Sequence, residues 1–174
     1  DPYDRNKMIF ADGAGAVVVT ATDEENVGII SHNTICDNGP ELEYLRNGAS
    51  INKDFDNQKL YIRMMGRKIY EYALKNVPVA IKETIDNAGL SIENIDKILI
   101  HQANAKMDYA MIDRLHKLYD VKEYDHAISP MTIQDFGNSS VATIPTMFDL
   151  IIKGKMDGHS FKEKGNIVMT SVGA

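Results

Sequence analysis

The stretch Asp96-Lys97-Ile98-Leu99-Ile100-His101-Gln102-Ala103-Asn104-Ala105-Lys106-Met107 constrains this chain more than any other. The consecutive branched aliphatics Ile98 to Ile100 suit a short buried strand, and from Met107 onward the apolar residues recur at helical steps. The polar tetrad His101 to Asn104 therefore falls on a strand-to-helix turn. Open α/β sheets place their chemistry at such turns. Side chains at the carboxyl end of a strand face a crevice, and the first amides of the following helix point there unbonded.

Around this turn the chain alternates between strand and helix patterns. Ala14 to Thr22 holds the β-branched run Ala16-Val17-Val18-Val19-Thr20 and reads as a central strand. Val27 to Ile35 reads as a second strand, joined to the first in a hairpin. Asp37 to Asp56 is rich in Asn, Gly, Asp and Pro and reads as a long surface loop of the kind that binds or covers. From Leu60 to Ala88 the period becomes helical, and Pro78 divides it into two helices or one broken helix.

Val77, Ile81, Ile85 and Ala88 form one apolar stripe, ended by Gly89 as a C′ glycine. Ile92 to Asp96 is a connector. Met107, Met111, Leu115 and Leu118 form the next stripe, with Asn104 as its N-cap. Val141, Ile144, Phe148 and Ile151 or Ile152 define a third face, in which Pro145 demands a kink or a start one turn after Ser139-Ser140. Asn166 to Gly173 is a final strand. The predicted class is α/β: a mixed sheet of about four to five strands, with parallel connections, covered by helices on both faces.

Spacing excludes several chemistries. Gly13-x-Gly15 has no third glycine at Val18 and precedes a strand, so it is no dinucleotide fingerprint. His32, His101, His116, His126 and His159 have no metal-ligand spacing, and no metal site is expected. Cys36, the one cysteine, stands at the mouth of a polar loop without a helix N-terminus to activate it. With 19 basic against 25 acidic residues the net charge is −6, and no long basic run offers itself to nucleic acid. No stretch approaches the roughly 20 apolar residues of a membrane span. A lone cysteine fits a reducing, cytoplasmic compartment. His101 and Asn138 each stand at the mouth of a helix, where two such mouths can meet in one crevice. Position alone favours the plainer reading, with His101 a hydrogen-bonded turn residue and Asn138 a helix cap.

Asp12-Gly13-Ala14-Gly15-Ala16, His101-Gln102-Ala103-Asn104 and Gly137-Asn138-Ser139-Ser140 follow one another at intervals that resemble the carboxyl-terminal half of β-ketoacyl-acyl carrier protein synthase III. The likeness covers nearly the whole chain. It implies a thiolase-like fold of two similar halves, of which residues 1–174 would be the C-terminal one, the N-terminal half and a final strand being absent.

The resemblance implies a Cys-His-Asn triad, with His101 and Asn138 at the matching positions and the cysteine on the other half. It further implies decarboxylative Claisen condensation of an acyl-CoA with malonyl-acyl carrier protein, no cofactor beyond coenzyme A and phosphopantetheine thioesters as substrates, and a homodimer. Asn104 would cap the helix and border the pantetheine channel, and Gln102 would be a structural turn residue. Lys106 stands where the family often has an arginine facing the carrier, keeping the charge and losing the bidentate fork. Arg67 replaces a polar residue that holds coenzyme A in some relatives. A backbone amide of the oxyanion hole would lie at Ala174. The alternatives are another thiolase-fold condensing enzyme, of the hydroxymethylglutaryl-CoA or polyketide type, and a catalytically silent half serving dimerisation or as a scaffold.

Overall fold

The structure is a computed structural model that describes residues 1–25, 27–55 and 58–173. In chain order the regular elements are β1 (Leu45–Gly48), β2 (Tyr61–Met64), α1 (Gly66–Asn87), β3 (Ile95–Ile100), α2 (Ala105–Leu118), α3 (Ile133–Phe136), α4 (Thr143–Ile152) and β4 (Asn166–Thr170), joined by loops and short 3-10 turns. The strands pair as β1 with β2, antiparallel, and β3 with β4, parallel.

The β3–β4 pair is the centre of the molecule. Ile98 lies opposite Val168, Leu99 opposite Met169 and Ile100 opposite Thr170. Because successive side chains on a strand point to opposite faces, Ile98 and Ile100 enter one core and Leu99 another. The first core takes Ala73, Leu74, Val77, Ile81 and Ile85 from α1 and Met107, Met111, Ile112 and Leu115 from α2. The second joins Leu99 to Met147 and Ile151 of α4, with Phe148, Phe161 and Ile167 packed against them. Each fully buried aliphatic side chain of this kind contributes about 1.5–3 kcal/mol. Helices thus cover both faces of the pair, and the expected α/β class holds.

Helix α1 is not broken at Pro78. Proline has no N–H to give the carbonyl one turn back, that of Leu74, and Arg114 of α2 fills the gap: its Nη1 donates to the Leu74 carbonyl at 2.9 Å. Arg114→Ala should therefore destabilise the protein by about 1–3 kcal/mol, the range for a buried acceptor that loses its donor. In a Pro78→Ala background, where the backbone N–H is restored, the same substitution should have a much smaller effect. Urea unfolding of the four proteins in this cycle measures the difference, and equal effects in both backgrounds would show that Arg114 does not serve the proline gap.

Other elements differ from their sequence reading. Residues 14–22 form no strand, and neither do the described residues of 27–35. Val18 is 92 % exposed, and both runs lie open among the described residues. Strand propensity is a fit to a neighbouring pleated surface, and the pairs formed elsewhere leave these runs without one. The single four- to five-stranded sheet is accordingly replaced by two separate pairs. The polar loop contains β1, and the segment Tyr61–Met64, read as helical, is its partner strand. Leu118 and Val141 lie outside the faces predicted for them and are exposed, whereas Met107, Met111 and Leu115 are buried. In α4 the helix starts at Thr143, so Pro145 falls in the first turn, where its missing N–H is tolerated. The buried face is Thr143, Met147 and Ile151.

Candidate functional site

His101 continues the alternation of β3. It lies on the same side of the strand as Leu99, toward the elements that carry α4, and its backbone N–H still donates to Thr170 at 2.9 Å as one more rung of the parallel ladder. Asn138 reaches it from the turn between α3 and α4. That turn is held by the N-terminal segment: Asn138 N–H donates to Ile9 at 3.2 Å, and Ala11 N–H donates to the Asn138 carbonyl at 2.8 Å, which makes a parallel bridge with Phe10. Gly137 precedes it at φ +63, a conformation that glycine adopts without strain, and a Cβ there would stand 3.0 Å from that of Ala11. Gly15 meets Pro145 so closely that a Cβ would come within 2.5 Å of it. Gly13 likewise stands against Ser139, so these two glycines let the N-terminal segment pass close to the Asn138 turn and the start of α4 rather than forming a turn before a strand.

The two polar side chains meet. His101 Nε2 lies 2.9 Å from Asn138 Oδ1, and Ser140 N–H donates to the same oxygen at 2.9 Å. Two donors converging on Oδ1 define the amide orientation and place the imidazole hydrogen on Nε2. Nδ1 lies 3.4 Å from the hydroxyl of Ser171, which can donate to it, and 3.2 Å from the carbonyl of Val172, which only a hydrogen on Nδ1 could bond. Asn138 is 5 % exposed and His101 half-buried, so a ligand reaching the pair would leave water to do so.

The other predicted site residues are placed as follows. Asn104 is the N-cap of α2, its Oδ1 accepting Met107 N–H at 3.2 Å. Lys106 is exposed on the first turn of that helix. Arg67 is exposed at the start of α1, with its Nε 2.8 Å from Glu71 Oε1 in a solvent-exposed pair one helical turn apart. Ala174 lies outside the described residues. Cys36 is exposed, with its Sγ 3.3 Å from Asn38 Oδ1.

Gln102, expected as a structural turn residue, has remote partners, and a second group near the turn, Asp108, was not singled out from the sequence. Gln102, fully buried, donates from Nε2 to the Pro130 carbonyl at 2.7 Å and accepts at Oε1 the N–H groups of Thr132 (2.6 Å) and Ile133 (2.8 Å). An amide beside the strand end offered the signal, but its partners lie some thirty residues on and carry no pattern of their own. Asp108, one turn into α2, has no exposed surface and no hydrogen-bond partner among the described residues. Burial pushes its carboxyl up to about 8. Its position in a helical stripe of buried residues was readable; its lack of a partner was not. A cavity of about 670 Å³ bordered by Thr132, Phe136 and His159 contains none of the predicted site residues.

Residues 85–174 match the family described as 3-oxoacyl-[acyl-carrier-protein (ACP)] synthase III C terminal, and residues 1–38 match 3-oxoacyl-[acyl-carrier-protein (ACP)] synthase III. The chain is 31% identical over 144 residues to β-ketoacyl-[acyl-carrier-protein] synthase III of Streptococcus pneumoniae, an alignment covering 80% of this chain and 41% of the relative. Among solved structures, 3-oxoacyl-(acyl carrier protein) synthase III of Pseudomonas aeruginosa superposes with a TM-score of 0.81 at 27% identity, over 100% of this chain and 50% of that one. The synthase III of Aquifex aeolicus gives 0.65 at 26% identity, over 87% and 42%. The chain spans about two-fifths of the length of the curated relatives it matches. The fold is thiolase-like, and on the match across its carboxyl-terminal 90 residues the chain belongs to the 3-oxoacyl-[acyl-carrier-protein] synthase III family.

Proposed function

We propose that this chain is the C-terminal half of a cytoplasmic, homodimeric 3-oxoacyl-acyl carrier protein synthase III. The whole enzyme condenses an acyl-CoA with malonyl-acyl carrier protein, with loss of carbon dioxide. The observation that carries this reading is the 2.9 Å contact between His101 Nε2 and Asn138 Oδ1, which joins two motifs 37 residues apart. In the reaction the acyl group waits as a thioester on a cysteine of the N-terminal half. The malonyl thioester loses carbon dioxide, its C–C bonding pair becomes the enolate, and the enolate carbon attacks the acyl carbonyl as the cysteine sulfur departs.

The chemistry asks for hydrogen-bond donors at the enolate oxygen that do not protonate the carbon. An amide NH2 cannot titrate, and a neutral imidazole donates through Nε2–H. A thioester oxygen seated between the two groups takes the Nε2 hydrogen from Oδ1 and a hydrogen from Nδ2. Each donor then stabilises the developing charge by about 3–4 kcal/mol. Lys106, exposed at the rim on the first turn of α2, suits the carrier protein or a phosphate of coenzyme A as a point charge. Arg67, already paired with Glu71, is a weaker candidate for the same role. The backbone amide at Ala174 remains the proposed second donor for the acyl oxyanion.

The chain alone should accordingly show no condensation of acetyl-CoA with malonyl thioesters. Adding a separately produced N-terminal half should restore part of it. The check is product formation followed by mass spectrometry. Turnover by the pure chain would contradict the proposed division of the triad.

A further inference from the structure

We propose that Gln102 is a positioning residue that sets the Asn138 amide against the His101 ring. His101 and Gln102 are consecutive at the end of β3 and hold the two ends of one segment. His101 meets Asn138 at its far end, and Gln102 grips Pro130, Thr132 and Ile133 at its near end. The Thr132 hydroxyl adds a further contact to Gln102 Oε1 at 3.3 Å.

Between the two grips lies only α3, one helical turn from Ile133 to Phe136, and then Gly137. The N-cap residue of that turn, Thr132, makes no side-chain cap. Gln102 Oε1 takes its place by accepting the N–H groups of Thr132 and Ile133, while Nε2 satisfies the carbonyl before them. The start of α3 is thus registered to the strand that carries His101, and a single turn transmits that register to Asn138. On its other side the Asn138 backbone is held by Ile9 and Ala11, and its Oδ1 takes the Ser140 N–H from the residues that follow.

The chemistry of the grip explains the residue. It needs a donor and an acceptor on one planar group, both desolvated. A neutral amide supplies them at every pH. A carboxyl group of the same shape supplies them only while protonated, because the carboxylate has no hydrogen for the Pro130 carbonyl. Leucine fills the volume and leaves that carbonyl and two backbone N–H groups buried without partners.

The catalytic consequence rests on the proposed role of Asn138 as an oxyanion donor; the positioning itself does not. Both are tested in the full-length protein labelled with 15N-asparagine, the Asn138 side-chain amide being identified by its loss in Asn138→Asp. In Gln102→Leu this signal should shift and broaden. In Gln102→Glu it should stay near its native position at acid pH and leave it reversibly as the new carboxyl ionises, above the ordinary carboxylate range because the site is buried. Malonyl decarboxylation should follow the same course: kcat in Gln102→Leu lower by about tenfold to a hundredfold, the scale of a misplaced catalytic group, with KM unchanged, and in Gln102→Glu a loss that appears only at high pH. The Gln102→Glu titration keeps the test intact if the leucine variant does not fold. An Asn138 signal unmoved in Gln102→Leu, or unmoved across the titration in Gln102→Glu, overturns the proposal. A moved signal with native decarboxylation upholds the positioning and overturns the donor role of Asn138.

Discussion

Replacing Asp108 by leucine is expected to stabilise the protein, by an amount that grows with pH. The carboxyl is fully buried without a partner among the described residues, and its folded pKa is raised from 3.8 to about 8. Such a group binds its proton in the folded state and releases it in the unfolded state throughout that window. Stability therefore falls as pH rises from near 4 toward 8. Each pH unit of difference corresponds to about 1.4 kcal/mol, and structural relaxation and water entry lower the total to a part of that ceiling. A gain on the order of 2–3 kcal/mol at pH 8, shrinking toward pH 4, is the expected result for Asp108→Leu, which also extends the apolar stripe of Met107, Met111 and Leu115. Asp108→Asn should remove the pH dependence while keeping a buried polar group, and so gain less. Urea unfolding at pH 5 and pH 8 measures both. A leucine variant whose gain is the same at the two pH values would show that the carboxylate is hydrated or paired in the folded protein.

The elements read correctly from the sequence share one property: their pattern and their partner are close in the chain or fixed by period alone. The strand Ile98 to Ile100 is buried whichever face it turns, so its aliphatic run was sufficient. Asn104 caps a helix that begins one residue later, and Met107, Met111 and Leu115 lie one helical turn apart. Where the deciding partner is remote the reading failed. The valines at 17–19 have the composition of a central strand, yet a strand exists only against a neighbour, and among the described residues these have none. Pro78 breaks a helix unless a donor reaches the Leu74 carbonyl, and that donor, Arg114, is 40 residues away.

The site divides in the same way. His101 and Asn138 were identified by their places at helix mouths and by family resemblance, and the geometry joins them. Gln102 was read as a turn residue because nothing in its surroundings in the sequence announces the Pro130–Ile133 segment that it holds. Arg67, expected to contact coenzyme A, makes an exposed pair with Glu71 one helical turn on, a partner that only the helical register reveals.

The largest effect on activity is expected from the His101–Asn138 pair. On the proposed mechanism, His101→Ala and Asn138→Ala in the full-length protein each remove one donor to the enolate oxygen and leave the cysteine and its own oxyanion donors intact. Decarboxylation of the malonyl thioester should fall by about a hundredfold to a thousandfold for each variant. The double variant should lose less than the product of the two, since both donors serve one oxygen and the survivor cannot hold it in place alone. Transfer of the acyl group from acyl-CoA to the enzyme does not use the enolate site and should survive in all three.

The direct test is therefore a paired measurement on His101→Ala, Asn138→Ala and the double variant: carbon dioxide released from labelled malonyl thioester at saturation, and the mass of the acylated cysteine in the same samples. The account predicts full acylation with decarboxylation reduced by at least about a hundredfold. Native rates of carbon dioxide release in the single variants would contradict it, and would reduce His101 and Asn138 to a turn residue and its hydrogen-bond partner.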